Sequence, residues 1–265
     1  MFCKRILFIL VLFPIGVYAL YNGNPSFPMM PEEGMFISKE KWFGIKAGYE
    51  FDNVYVRKLH MEGDTGMDHS SKKVPKYDSL SNFGVVTLNF NQRVELFTTL
   101  GAMSCKLSQT PYPDTRVSYH THTHFTWGIG GRAILAYWGN LQVSINAAYM
   151  QADLPLSSLE VNGKSYPKRH LKMDFREWQV GAGASYRVGW FIPYIGVDYS
   201  DYRSRIEDLR VLKFLFPKKH VTFKEKYATG MYMGFGLCPD RVFNLNLEVR
   251  VINENAVSVS ADLKF

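Results

Sequence analysis

The chemistry on offer in this chain is a set of ionisable residues set at every second position within otherwise apolar stretches. Lys46, Glu50, Asp52, Glu95, Arg132, Glu177, Arg187, Asp198, Lys224, Lys226, Glu248, Arg250, Asp262 and Lys264 all occupy such places. Successive side chains of a strand point to opposite faces, so in strands these groups share one face and the apolar residues the other. Seven are acids and seven are bases. If the strands close into a barrel with the apolar face outward, the charges line its lumen. They then either pair across a narrow interior and fill it, or border a wet passage and tune its selectivity. Lys224 and Lys226, two apart, would form a basic spot favouring anions.

Other reactive groups are sparser. His120, His122 and His124 alternate and would share a strand face, and imidazoles bind zinc or copper. No carboxylate or cysteine adjoins them, and they sit at a junction between a polar loop and a strand, so the expectation is no metal. Asp64, Asp68 and His69 fall in one polar segment and Asp201 and Asp208 near another, with no spacing that brings them together. Omptin-type surface proteases use acids and a histidine at a barrel rim, but these loop acids read as solvated. No Gly-x-Ser-x-Gly, His-Glu-x-x-His or phosphate-loop motif is present, so neither catalysis nor a cofactor is expected.

Three cysteines occur, Cys3, Cys105 and Cys238. Lys4 and Arg5 precede the apolar run Ile6 to Val17 and then Val17-Tyr18-Ala19, the pattern of a secretory signal peptide cleaved after Ala19. Cleavage removes Cys3 and lowers the formal charge from +7 to +5. Cys105 and Cys238 then remain as a candidate disulfide or cross-link, since export permits oxidation. A charge this mild, without recognition motifs, excludes nucleic acid as a partner.

The elements that must position the charged face are long alternating strands. The expected domains are the signal at 1–19, an irregular mature N-terminus at 20–41, and a barrel at 42–265. The last hairpin shows the pattern most plainly. Phe243, Leu245, Leu247, Val249 and Val251 alternate with polar residues, and so do Val257, Val259, Ala261, Leu263 and Phe265. About ten such strands are expected, within a range of eight to twelve, near 42–56, 79–91, 94–107, 122–138, 141–152, 174–188, 191–202, 221–237 and in the terminal hairpin. The connections alternate long and short until the last hairpin. Polar loops near 60–78, 108–121, 153–172 and 203–220 fall at one end, and tight turns at the other. Strands this long, with 15% aromatic residues, fit a transmembrane antiparallel up-and-down outer-membrane β-barrel embedded in lipid, rather than a secreted sandwich.

The sequence also resembles the chlamydial major outer membrane porin family. The likeness is carried by Asn22-Gly-Asn-Pro25, VELFTTLGA at 94–102, FTWGIGGRA at 125–133, WQVGAGASYRVGWFIPYIGVDYS at 178–200 and the hairpin ending in Phe265. The resemblance implies an outer-membrane barrel, often a homotrimer, that passes small hydrophilic solutes or ions and contributes to envelope structure. Family members are longer and richer in cysteine than this chain. Ten strands lie near the closed end of the barrel series, where side chains nearly fill the interior. The alternative is therefore a non-conducting structural or surface-interaction barrel whose long loops meet a partner. The terminal Phe265 resembles the insertion signal read by the barrel-assembly machinery. Deleting Phe265, or substituting Phe265→Asp, is expected to lower the yield of heat-modifiable, membrane-embedded protein, read by comparing heated and unheated samples on gels.

Overall fold

The computed structural model describes residues 21–30, 42–62, 73–74, 76–112, 114–167, 171–207, 209–212, 220–239 and 242–265. The leader, residues 31–41, and Asp64, Asp68, His69 and Asp208 lie outside them. Fifteen strands form a single sheet among the described residues. In chain order they are β1 (Phe43–Arg57), β2 (Leu59–Glu62), β3 (Lys73–Val74), β4 (Lys76–Phe90), β5 (Val94–Tyr112), β6 (Thr115–Thr121), β7 (His124–Trp138), β8 (Leu141–Val161), β9 (Lys164–Ser165), β10 (Lys172–Tyr186), β11 (Phe191–Ile206), β12 (Val221–Glu225), β13 (Thr229–Leu237), β14 (Phe243–Val251) and β15 (Glu254–Lys264).

Ten of them make a closed antiparallel ring. β1 pairs with β4 on one side, Tyr49 opposite Gly84, and with β15 on the other, Tyr49 opposite Ala261. The ring continues through β5, β7, β8, β10, β11, β13 and β14. Closure leaves no free sheet edge, which a strand in lipid requires. The outer face carries Val86, Leu88, Leu96, Ile129, Ile195 and Val197, all exposed. All five tryptophans are exposed too. Trp42, Trp138 and Trp190 lie at the short-turn end. Trp127 and Trp178 lie toward the other, against Tyr149 and Tyr199 at 5.9 and 5.4 Å. Aromatic rings at two levels around an apolar band mark the two membrane interfaces.

Beyond the second girdle the wall changes. The β14–β15 hairpin ends at a tight turn through Ile252 and Asn253. Above it, β2 continues β1 and pairs with β12, which pairs with β11. β6 takes the place of β7 between β5 and β8, and β3, just before β4, pairs with β2. The ring thus narrows from ten strands to eight, and this upper section stands clear of the membrane. Much of the chain expected as polar loop is therefore strand. Segment 108–121 is the β5–β6 hairpin, and β8 runs on to Val161. The expected strand at 221–237 is two, β12 and β13, broken between Lys226 and Ala228.

The same strands reverse their polarity as they cross this boundary. On β8 the even positions face inward throughout the lower part, but Gln142, Ser144 and Asn146 give way to Met150, Ala152, Leu154 and Leu156. On β10 the odd positions face inward, with Met173 and Phe175 above Glu177 and Gln179. In lipid the apolar face must point out. In water it must point in. Where they are described, the polar residues expected in loops supply the water-facing rows of these strands.

Glycines let large rings lie flat on the inner wall. A Cβ at Gly196 would come within 2.2 Å of Tyr232 Cζ, and one at Gly234 within 2.7 Å of Tyr194 Cζ. Gly196→Val is expected to cost about 1–3 kcal/mol by overpacking against Tyr232, read as a lower unfolding midpoint in detergent. Val197→Ile, on the lipid face, should leave the midpoint near wild type.

Candidate functional site

The inward face of the ten-stranded section is the candidate site, and it is occupied. Residues Tyr21–Met30 run inside the barrel, with Asn22, Asn24, Ser26, Phe27 and Met30 buried. The segment expected as an irregular N-terminus is, over these residues, a lumenal filling. Gly23 has φ +83°, and this left-handed turn aims two successive amides at one carboxylate. Asn22 N and Gly23 N donate to Glu248 Oε1 and Oε2 at 3.1 and 3.0 Å. Asn146 Nδ2 donates to Asn22 Oδ1 at 3.1 Å. Asn24 Oδ1 accepts from Ser26 N at 2.9 Å and so starts the short 3-10 turn Phe27–Met29, with Pro28 early in it. Lys46 Nζ donates to Phe27 O at 2.6 Å, and also to Met30 O and Glu95. Asn89 Nδ2 donates to Pro28 O at 2.8 Å. The Arg132 guanidinium stacks over Phe97 and Phe27 at 4.3 and 4.6 Å. Met30 ends against Ile192 and Cys238 at the short-turn rim.

Above this filling lies a chain of ion pairs. Arg250 Nη2 donates to Asp52 at 2.6 Å, Nη1 to Glu248 at 3.0 Å and to Ser258 Oγ at 2.8 Å, and Nε to Glu254 at 2.8 Å. Arg57 holds Glu177 through Nη1 and Nη2, the Nη1 bond being 2.9 Å, and Glu254 at 2.9 Å, with Glu225 at 3.4 Å. Glu248 therefore joins the N-terminal segment to Arg250, and Glu254 joins Arg250 to Arg57. A third level seals the end opposite the short turns, the extracellular one in outer-membrane barrels. Arg57 sits 4.8 Å from the Tyr202 ring. From Tyr202 upward the eight-stranded section is packed with apolar groups, among them Tyr77, Phe175, Tyr119 and Phe223, with edge-on rings at 5.3 to 6.1 Å. Eight strands enclose a space that side chains just fill.

Lys46, Glu50, Asp52, Glu95, Arg132, Glu177, Asp198, Glu248, Arg250, Asp262 and Lys264 all point into the barrel. Three others of the expected set do not. Lys224 is on the outer face, paired with Glu62 at 2.6 Å, whose carboxyl it holds below the usual range. Lys226 is exposed, 4.9 Å from the Tyr227 ring. The break after β12 inverts the alternation carried down from β13, so Val221, Phe223 and Glu225 face inward there instead. Lys224 and Lys226 therefore form no basic spot in the lumen. Arg187 is half-buried at a turn, its Nε donating to Gly189 O at 3.3 Å. Three lumenal charges escape the alternation of the sequence: Glu225, for the reason just given; Glu254, in an expected turn; and Arg57, one residue past a bulge between Val54 and Val56 that resets the face. The interior is thus not balanced. Among the described residues, Glu50, Asp52, Glu95, Glu177, Asp198, Glu225, Glu248, Glu254 and Asp262 outnumber Lys46, Arg57, Arg132, Arg250 and Lys264.

The remaining candidates disperse. His120 lies on β6 opposite Lys106, His122 in the break after it and His124 at the start of β7. No group of metal-binding side chains converges among the described residues. Asp201 accepts from Trp178 Nε1 at 3.2 Å on the outer face. Cys105 is in the extracellular core and Cys238 at the opposite rim, and no disulfide joins them.

A sequence profile described as Chlamydia major outer membrane protein matches residues 143–223, from β8 into β12. A major outer membrane porin of Chlamydia pneumoniae is 22% identical over 375 aligned positions, covering 94% of this chain and 95% of that one. The serovar D porin of Chlamydia trachomatis is 23% identical over 291 positions, covering 74% and 73%. The chain is similar in sequence to the chlamydial major outer membrane porins. Its place is the bacterial outer membrane. Among solved structures, an outer-membrane channel from Pseudomonas putida F1 is similar at TM-score 0.41 and 7% identity, over 84% of this chain and 95% of that one. The outer-membrane protease OmpT of Escherichia coli is similar at 0.38 and 12%, over 84% and 94%. Likeness at this level does not distinguish a channel from a protease.

Because Arg250 serves three carboxylates, Arg250→Met is expected to destabilise the barrel by about 3–5 kcal/mol, leaving buried charges without a partner. Glu62→Gln, in an exposed pair, should cost less than about 1 kcal/mol. Urea unfolding of both variants in detergent checks the contrast.

Proposed function

We propose that this protein is a porin-type outer-membrane barrel passing small hydrophilic solutes or ions, with its lumenal contents acting as the gate. The observation that carries the reading is a closed ten-stranded ring around a column of charged and polar side chains, in a chain aligned almost end to end with a major outer membrane porin. Asp52 Oδ2, Asp198 Oδ1 and Gln179 Nε2 are buried in that column without a hydrogen-bond partner among the described residues. Such groups call for water. The surplus of carboxylates would favour cations over anions. In the state described, Tyr21–Met30 and the apolar upper section both block the path, so flux requires both to move. Insertion by the barrel-assembly machinery, with Phe265 as the signal, and assembly as a homotrimer belong to the same proposal.

One observation favours a second reading. The extracellular eight-stranded section is a solid apolar core, as suits a non-conducting barrel that presents its rim to a partner. Planar-bilayer recording on the refolded full chain separates the two readings. Lys46→Met with Glu248→Gln removes two of the side chains that hold residues 22–30, and should raise the frequency of cation-selective openings over wild type. Silence from both wild type and this correctly folded variant would reject the porin reading and leave the surface role.

A further inference from the structure

The loss of two strands leaves a ledge on the outside of the wall. β1 stays with β15 up to Arg57 opposite Glu254, and Lys58 N then donates to Asn253 O at 3.1 Å. One residue on, Leu59 already pairs with Glu225 of β12. The chain from β13 crosses from the other side, Lys226 N donating to Lys58 O at 2.8 Å. Two chains thus close directly over the tip of the β14–β15 hairpin, and the tip juts beneath them.

The residues on this ledge are unlike the rest of the wall. Ile252, at the tip, is 51% exposed and has φ +89°, a conformation that opposes a β-branched side chain. Its carbonyl accepts from Lys58 Nζ at 2.7 Å. The ammonium groups of Lys58 and Lys226 lie 5.6 and 4.9 Å from the Tyr227 ring centre, flanking one exposed tyrosine. Tyr55 and Val56 are exposed alongside. Among the described residues neither lysine has a carboxylate within ion-pair distance. Glu225 and Glu254 point into the lumen toward Arg57, and Glu62 is taken by Lys224 and Arg203. The ledge is level with the extracellular girdle, because Ser200 N, next to the Tyr199 that meets Trp178, donates to Ala228 O at 2.8 Å.

We propose that the ledge binds the phosphate-bearing headgroup of an outer-leaflet lipid. Lys58 and Lys226 hold the phosphate where the acyl region meets water, and Ile252, Tyr55 and Tyr227 lie along the start of the acyl chains. The height, the two cations without a carboxylate partner among the described residues and the apolar groups beside them match one amphiphilic anion. Cations beside a bilayer surface draw anionic headgroups with about 1 kcal/mol each, and a tyrosine suits the boundary between acyl chains and water. The side chain of the isoleucine held against its backbone preference is half exposed, and lipid contact covers it. The proposal is independent of whether the lumen conducts.

The test is native mass spectrometry of the refolded full chain titrated with bis-phosphorylated lipid A in detergent. Wild type should retain lipid A, and lipid A stripped of its phosphates should bind about thirtyfold more weakly. Inorganic phosphate should not compete. Lys58→Gln with Lys226→Gln should lose a similar factor, and binding by wild type should weaken as salt is raised. Ile252→Gly frees the strained backbone, so it should lose lipid while its unfolding temperature stays equal or rises. If the double variant folds poorly, Lys226→Gln alone, whose ammonium holds no backbone carbonyl, serves in its place and should lose about fivefold. Retention of lipid A by these variants at the wild-type level overturns the proposal. So does equal binding of the dephosphorylated lipid. Competition by inorganic phosphate would likewise overturn it, in favour of a site for the free anion.

Discussion

The shortness of one hairpin governs this molecule. β14 and β15 turn back at Ile252–Asn253 while their neighbours continue, so a ten-stranded ring must become an eight-stranded one at that height. Interior width follows strand number. Below the step there is room for a peptide segment and a column of charged groups. Above it there is room only for side chains, and these are apolar because the strands there stand in water. The filling of the lumen, the inversion of the strand pattern and the ledge on the outer wall are three consequences of the same missing pair of strands.

The lower lumen shows how a buried charge set is made tolerable. Desolvating an ion is costly unless partners and hydrogen bonds replace water. Arg250 and Arg57 do this by each serving several carboxylates, and Glu248 shares one oxygen between Arg250 and Asn22 N and gives the other to Gly23 N. The segment is therefore part of the electrostatic structure and not only a steric filling. Removing it would leave Glu248, Lys46 and Asn89 needing other partners, and water is the obvious one. This coupling between an occupied lumen and a satisfied charge network is the physical basis of the proposed gate.

Much of the fold was legible in the sequence because lipid imposes a strict rule. Rows such as Phe243-Leu245-Leu247-Val249 and Ile195-Val197-Tyr199 had to face outward, and the opposite parity then had to face inward. The rule failed where lipid ended. Leu107, Tyr119 and Leu154 are inward residues of strands whose outer faces are polar, and their surroundings read as loop because a water-facing strand and a loop have similar composition. It failed again where parity shifted. The bulge at Val54–Val56 hid Arg57, and the break between β12 and β13 sent Lys224 outward and Glu225 inward. Alternation carries no mark of a bulge, so an error of one residue reverses the face of everything beyond it.

The sequence by itself determined the class of solvent on each side of the wall, because alternation over long strands can satisfy backbone hydrogen bonds in lipid only in a closed barrel. It also determined the relatives that the chain resembles. The tertiary structure alone decided what the barrel contains. The grip of Glu248 on the amides of Asn22 and Gly23 joins residues 225 or more apart in the chain, and the passage from ten strands to eight depends on which strand meets which above Ile252. Neither is a periodic property. Each follows from closing the ring, when distant positions are brought to the same height and the space left between them is fixed.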